Sequence, residues 1–158
     1  MIRILFCETN LDGTIGGSYL TLYFLVTRLD RTKYTPVVEL HYANPIATKL
    51  HSEGVEVHIL KPGKSVSGIR SIQKLQMTGI VNGITYILLP ALRFRSFLRK
   101  KAISLVHANN GLDTNYSWIL AAKLAGIPCL RHPRATPAHD APLFRMFRNF
   151  VAKVICVS

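Results

Sequence analysis

The sequence predicts an α/β protein: a Rossmann-like, doubly wound parallel sheet with helices on both faces. Three observations carry this. Short apolar runs alternate with stretches of helical periodicity along the whole chain. The connections in the first βαβαβ stretch are short, as such a sheet requires. With 158 residues and 49% hydrophobic content, the chain is large enough to bury one real core and is not a disordered protein.

Taken in order, Ile2, Ile4, Leu5 and Phe6 form a run suited to a strand buried on both faces. Glu8 to Gly17 is a polar loop that closes on Gly16-Gly17, and Tyr19 to Leu29 is helical, with Tyr19, Tyr23 and Val26 on one face. A strand, a glycine-containing loop and a helix start together offer unpaired N–H groups to an anion. A tight turn is the plainer use of the two glycines. Tyr34 to His41 reads as the second strand, with Pro36 near its start, where a missing donor is tolerated. Asn44-Pro45 opens a helix that runs to Ser52, Gly54 stops it, and Val55 to Leu60 makes the third strand.

Residues 61–67, KPGKSVS, form a loop; position 58 is His where a phosphate loop needs its upstream glycine, so that motif fails. The longest connection runs from Ile69 to Lys101. Gly79, Gly83 and Pro90 interrupt it and predict two or three helical pieces. Ile103 to His107 is the fourth strand, followed by a polar loop and a helix from Tyr116 to Leu124. Gly126-Ile-Pro128 turns the chain into the fifth strand, Cys129 to Arg131. A loop rich in proline and histidine, a basic helix (Pro142 to Phe150) and a sixth strand (Val154 to Val157) complete the order.

The net charge is +12, and no acidic residue occurs between Glu56 and Asp113. A field of one sign attracts lipid headgroups, nucleotide phosphates or nucleic acid. Its densest part is RFRSFLRKK, where Arg93, Arg95, Arg99, Lys100 and Lys101 alternate with Phe94, Phe97 and Leu98. Two readings are open: a helix covering the sheet with its basic side in water, or a helix in contact with a membrane interface. Nucleic-acid binding ranks last, because neither a ribonucleoprotein motif nor zinc-finger spacing is present. Cys7, Cys129 and Cys156 lie in strand-like runs without a CxxC pair, which predicts buried reduced thiols. No apolar run reaches the ~18–20 residues of a membrane span and no signal peptide is legible, so a cytoplasmic location is expected.

In such a sheet, ligands bind at the carboxyl ends of strands where the strand order reverses. With order 3-2-1-4-5-6, Gly16 and Gly17 after strand one would share a rim with His107, Asn109 and Asn110 after strand four, and His132 and Arg134 after strand five. His41 and His58, within strands, read as satisfied core histidines. A dinucleotide fingerprint is excluded by the spacing of Gly13, Gly16 and Gly17, a hydrolase elbow by the absence of GxSxG, and no metal is expected because clustered ligands are lacking.

The segments ILFCETNLDGTIGGSYLTLYFLVTRL, SLVHANN after the long basic helix, AAKLAGIPCLRHPRA and KVICVS resemble, in that order, the N-terminal domain of family-four retaining glycosyltransferases of the GT-B fold. The resemblance covers essentially all of residues 1–158 and implies the acceptor-side domain of a hexosyltransferase-type enzyme. Such an enzyme moves a sugar from a nucleotide-sugar donor to a carbohydrate or lipid-linked acceptor, as in polysaccharide biosynthesis. It further implies that Gly16 and Gly17 face the donor diphosphate or the transferred sugar, that His107 and Asn109 line the acceptor side, and that His132 and Arg134 face the sugar or the acceptor. His107 and His132 are thus the catalytic candidates, with Asn110 beside them in binding. No cofactor is implied beyond the donor as substrate. The family's donor domain with its glutamate pair has no counterpart, so the expectation is a fragment, a truncated gene or a separately encoded half, silent without a partner chain. The alternative is a non-catalytic anion-binding or regulatory domain working with a partner chain. At the inner membrane face, the 93–101 cations would contribute roughly 1 kcal/mol each.

Overall fold

A computed structural model of the protein describes residues 1–8, 15–60, 83–110, 115–133 and 142–155. Six parallel strands are β1 (Ile2–Glu8), β2 (Tyr34–Leu40), β3 (Glu56–Ile59), β4 (Leu105–Ala108), β5 (Cys129–Arg131) and β6 (Lys153–Val154). The α-helices among the described residues are α1 (Gly17–Thr27), α2 (Pro45–Ser52), α3 (Leu89–Lys100), α4 (Tyr116–Ala125) and α5 (Pro142–Arg148). The sheet order is β3-β2-β1-β4-β5-β6, the doubly wound order expected, with its reversal between β1 and β4.

Alternation along the central strands divides the core in two. Ile4, Phe6, Val38 and Leu40 point to one face and bury Tyr19, Leu22 and Val26 of α1 with Ile46 and Leu50 of α2. Leu5, Cys7, Val37 and Val106 point to the other, under Ala91, Phe94 and Leu98 of α3 and Trp118, Ile119, Ala121 and Ala122 of α4. Phe94 stacks on Trp118 at 4.0 Å between ring centroids. Cys7 and Cys129 are buried free thiols, and burial, before any neighbouring charge, pushes the thiol of Cys7 well up and that of Cys129 to about 12.

Local signals place the helix ends. The Asn44 side chain accepts from the Ala47 N–H at 3.0 Å with Pro45 opening α2. Gly54 (φ 72°) and Gly126 (φ 73°) take the left-handed conformation that ends α2 and α4.

Pro90 behaves differently from expectation. It does not divide the connection: a π-helical turn (Ile84–Leu88) runs directly into α3, and Pro90 occupies the first turn of α3. There the missing N–H has no obligatory partner, and the π turn shifts the ladder just ahead of it. His58 also departs from a core role. It is partly exposed and its Nε2 lies 2.8 Å from Glu56 Oε1. The 61–67 loop, the surroundings of Gly79, Arg134, and residues 156 and 157 of the last strand lie outside the described residues.

Candidate active-site rim

Four chain segments meet at the carboxyl edge of the sheet where the strand order reverses. β1 ends on Glu8, which is fully buried. β4 continues past Ala108 into Asn109, whose N–H donates to Cys7 O at 3.0 Å and so holds the two strand ends in line. The Asn109 side-chain amide donates to Glu8 Oε2 and also to Ser18 O at 3.2 Å, in the first turn of α1. Asn110 Nδ2 donates to Glu8 Oε1 at 2.6 Å. One carboxylate thus ties the β4 exit to the β1 exit, and Asn109 ties both to the start of α1.

The two candidate histidines lie in the same assembly. His107 pairs in register with Phe6 and packs edge-on against its ring at 5.1 Å. β5 exits beside β4, with His132 N–H donating to Ala108 O at 2.9 Å. The rings of His107 and His132 are 5.6 Å apart between centroids, and both are buried. Gly16 caps α1 in an extended conformation (φ −108°, ψ −175°) and Gly17 begins it. Both glycines are exposed, and a Cβ built on either meets nothing within 4 Å.

The structure therefore places Gly16, Gly17, His107, Asn109, Asn110 and His132 on one rim, while Arg134 lies outside the described residues. Chemically, the rim offers a helix start at two exposed glycines, two imidazoles and two amides fixed by a carboxylate. That set suits hydrogen bonding to hydroxyls and to an anion. Among the described residues no cluster of three metal-ligating side chains occurs.

Glu8 is the residue that sequence reasoning missed, because it reads there as the first residue of a polar loop. The available signal was a carboxylate directly following the apolar run Ile4-Leu5-Phe6-Cys7, where a strand continues into the sheet edge.

The basic segment is not on this rim. Phe94 and Leu98 face the core and Phe97 packs edge-on against Trp118, so the aromatics that suggested an interface serve the sheet covering. Lys101 Nζ lies 2.8 Å from Glu56 Oε1, and Arg95 Nε donates to Leu124 O at 3.1 Å. Arg93, Arg99 and Lys100 remain exposed. No described helix is long and apolar enough to cross a membrane.

The profile of the glycosyl transferase 4-like family matches residues 34–156, well over half of the sequence. The chain belongs to that family. No curated protein matches it in sequence. Among solved structures, a Rickettsia africae glycosyltransferase superposes with TM-score 0.70 at 17% identity, over 99% of this domain and 37% of that chain. Anabaena HepE, solved with UDP-glucose, gives 0.63 at 16% identity over 98% and 37%. Acinetobacter baumannii MurG gives 0.63 at 13% identity over 99% and 41%. This glycosyltransferase-family domain thus has the Rossmann-like fold of one half of a GT-B structure and spans less than half the length of these neighbours.

Proposed function

We propose that this domain is the acceptor-side half of a glycosyltransferase that moves a sugar from a nucleotide-sugar donor to a carbohydrate or lipid-linked acceptor. The observation that carries the reading is the convergence of Gly16-Gly17, His107 with Asn109 and Asn110, and His132 on one rim at the reversal of strand order. UDP-glucose bound to the similarly folded HepE supports a nucleotide sugar as the donor.

The chemistry follows from the parts. Departure of a nucleoside diphosphate builds negative charge on its phosphates, which the positive end of the α1 dipole would stabilise. Glycine there leaves room for the diphosphate or the transferred sugar to approach the backbone. His107 and His132 would hold acceptor hydroxyls near the reacting carbon, where positioning contributes most of the rate. Asn109 and Asn110, fixed by Glu8, would line the same side. In this reading a donor-binding domain closes the other half of the cleft, and the 1–158 domain alone turns over nothing. Cytoplasmic residence at the inner membrane face belongs to the same proposal. Its support is the net charge of +12.

The test is a transfer assay with UDP-linked sugars, comparing this domain alone with the domain joined to the donor-binding half of a GT-B glycosyltransferase. Transfer is expected only in the joined form. His107→Ala and His132→Ala are expected to lower its rate by on the order of a hundredfold. Transfer that survives both substitutions unchanged would overturn the assignment.

A further inference from the structure

The outer face of α1 carries exposed apolar side chains. From Gly17 to Thr27 the helix carries no charged residue, and only Tyr19, Leu22 and Val26 are buried. The opposite stripe leaves Leu20 49%, Phe24 49% and Leu25 36% exposed, and Ile15, just before the helix, 44%. An apolar stripe of this kind on one helix face is ordinarily covered by a partner. This stripe begins beside Gly16 and Gly17 at the rim and runs about 16 Å along the helix. At its far end Thr21, Phe24, Leu25, Arg28 and Leu29 line a shallow groove of about 340 Å³.

The charges around the stripe indicate what covers it. The Arg28 guanidinium lies 5.2 Å from the Phe24 ring centre, and Lys49 Nζ lies 4.4 Å from that of Tyr23. Lys33 pairs with Asp30, whereas Arg28, Arg31 and Lys49 have no acidic partner among the described residues. Apolar and aromatic side chains on one helix face, bordered by unmatched cations, match the boundary between acyl chains and anionic headgroups.

We propose that the outer face of α1 docks on an anionic lipid bilayer, with Leu20, Phe24 and Leu25 in the acyl boundary and Arg28, Arg31 and Lys49 at the headgroup phosphates. α1 and the basic α3 cover opposite faces of the sheet, so this contact is distinct from the 93–101 cations. Because the stripe starts at the rim, docking sets the rim at the membrane surface. The proposal thereby narrows the acceptor of the function given above to a lipid-linked one, and it rests on that reading for the acceptor alone.

The experiment is co-sedimentation of the full chain with vesicles of equal parts phosphatidylglycerol and phosphatidylcholine, and with phosphatidylcholine alone. Sedimentation is read without turnover, so its failure leaves sugar transfer to a carbohydrate acceptor standing. Binding to the anionic vesicles is expected. The double variant Leu20→Ser/Phe24→Ser, both exposed positions, is expected to weaken it about tenfold or more with an unchanged melting curve. Arg28→Glu is expected to weaken it by at least about fivefold, on anionic vesicles only. Phe24→Trp is expected to add a blue-shifted fluorescence component when vesicles are present. Three results would overturn the proposal: equal binding to both vesicle types, loss of binding by Arg93→Glu/Arg99→Glu/Lys100→Glu while Leu20→Ser/Phe24→Ser binds normally, or self-association through the stripe without vesicle binding.

Discussion

Neither Gly16 nor Gly17 has a positive φ, and neither is crowded by its surroundings. The fold therefore does not require glycine at these positions, which removes the tight turn as their reason and leaves room for a ligand. Gly17→Ala is expected to keep or raise stability, by up to about 1 kcal/mol, because alanine loses less entropy on entering a helix. In the joined enzyme, the same change is expected to lower transfer. Equal transfer by both forms would sever the glycine pair from the donor. Two other positions show the opposite logic. Ala102 holds φ 51° without being glycine, so Ala102→Gly is expected to stabilise by about 0.5–1 kcal/mol. Gly126→Ala, at φ 73°, is expected to destabilise by about 1 kcal/mol although a methyl group there has open space. Both are read from thermal or urea unfolding. The sequence marked Gly54 and Gly126 as helix stops because glycine advertises the left-handed conformation. Nothing about an alanine advertises the same strain at Ala102.

At the scale of single elements, β2 carries a device that its apolar pattern conceals. Glu39 lies wholly inside the sheet covering, and burial pushes its carboxyl well above the usual carboxylate range. The Trp118 indole N–H favours the anion but makes no regular hydrogen bond to it. His41, two residues on and on the same face, has its Nε2 3.7 Å from Glu39 Oε1, and burial lowers its pKa to about 4. The folded pair therefore holds one proton where the unfolded pair, with ordinary values of 4.5 and 6.5, holds two below 4.5, one between, and none above 6.5. Stability should be level between about pH 4.5 and 6.5 on this account. Above 6.5 it should fall with rising pH for as long as the folded pair keeps its proton; below 4.5 it should fall with falling pH only to about pH 4, where the folded His41 takes up a second proton and the curve levels again. This balance is unaffected by which partner holds the proton. Glu39→Gln should abolish the alkaline slope, measured as urea-unfolding free energy against pH; a variant with the wild-type slope would refute the pairing. His41 was legible as a core histidine because the sequence places it within a strand. The charge state of Glu39 was not, because it depends on α4 covering that face.

Across the whole molecule, the sequence showed parallel strands with helices on both faces, since these follow from period and connection length, and the order assumed for such a sheet is the one observed. It did not show what locks distant elements together, because those contacts are side chains meeting over long separations. Glu8 is one case at the carboxyl edge, and Glu56 is its counterpart at the opposite edge. Lys101 Nζ at 2.8 Å, His58 Nε2 at 2.8 Å and Arg3 Nη2 at 2.6 Å surround the Glu56 carboxylate and join β1, β3 and the end of α3. Donation from Lys101 is the largest effect; with His58 and Arg3 it lowers the Glu56 pKa to about 2 although burial opposes it. A carboxyl with a depressed folded pKa contributes stability that is complete above its unfolded value of 4.5 and is lost as the pH falls towards 2. The carboxylate is partly solvated, so solvent screening reduces the contribution to about 1 kcal/mol. Glu56→Gln should therefore be less stable than wild type at neutral pH by about that amount, and the two unfolding curves should converge as the pH approaches 2. Salt should shrink the neutral-pH gap by screening the exposed side of the cluster. A gap that persists at low pH would mean that Glu56 acts through packing, and the long-range tie between β3 and the end of α3 would have to lie elsewhere.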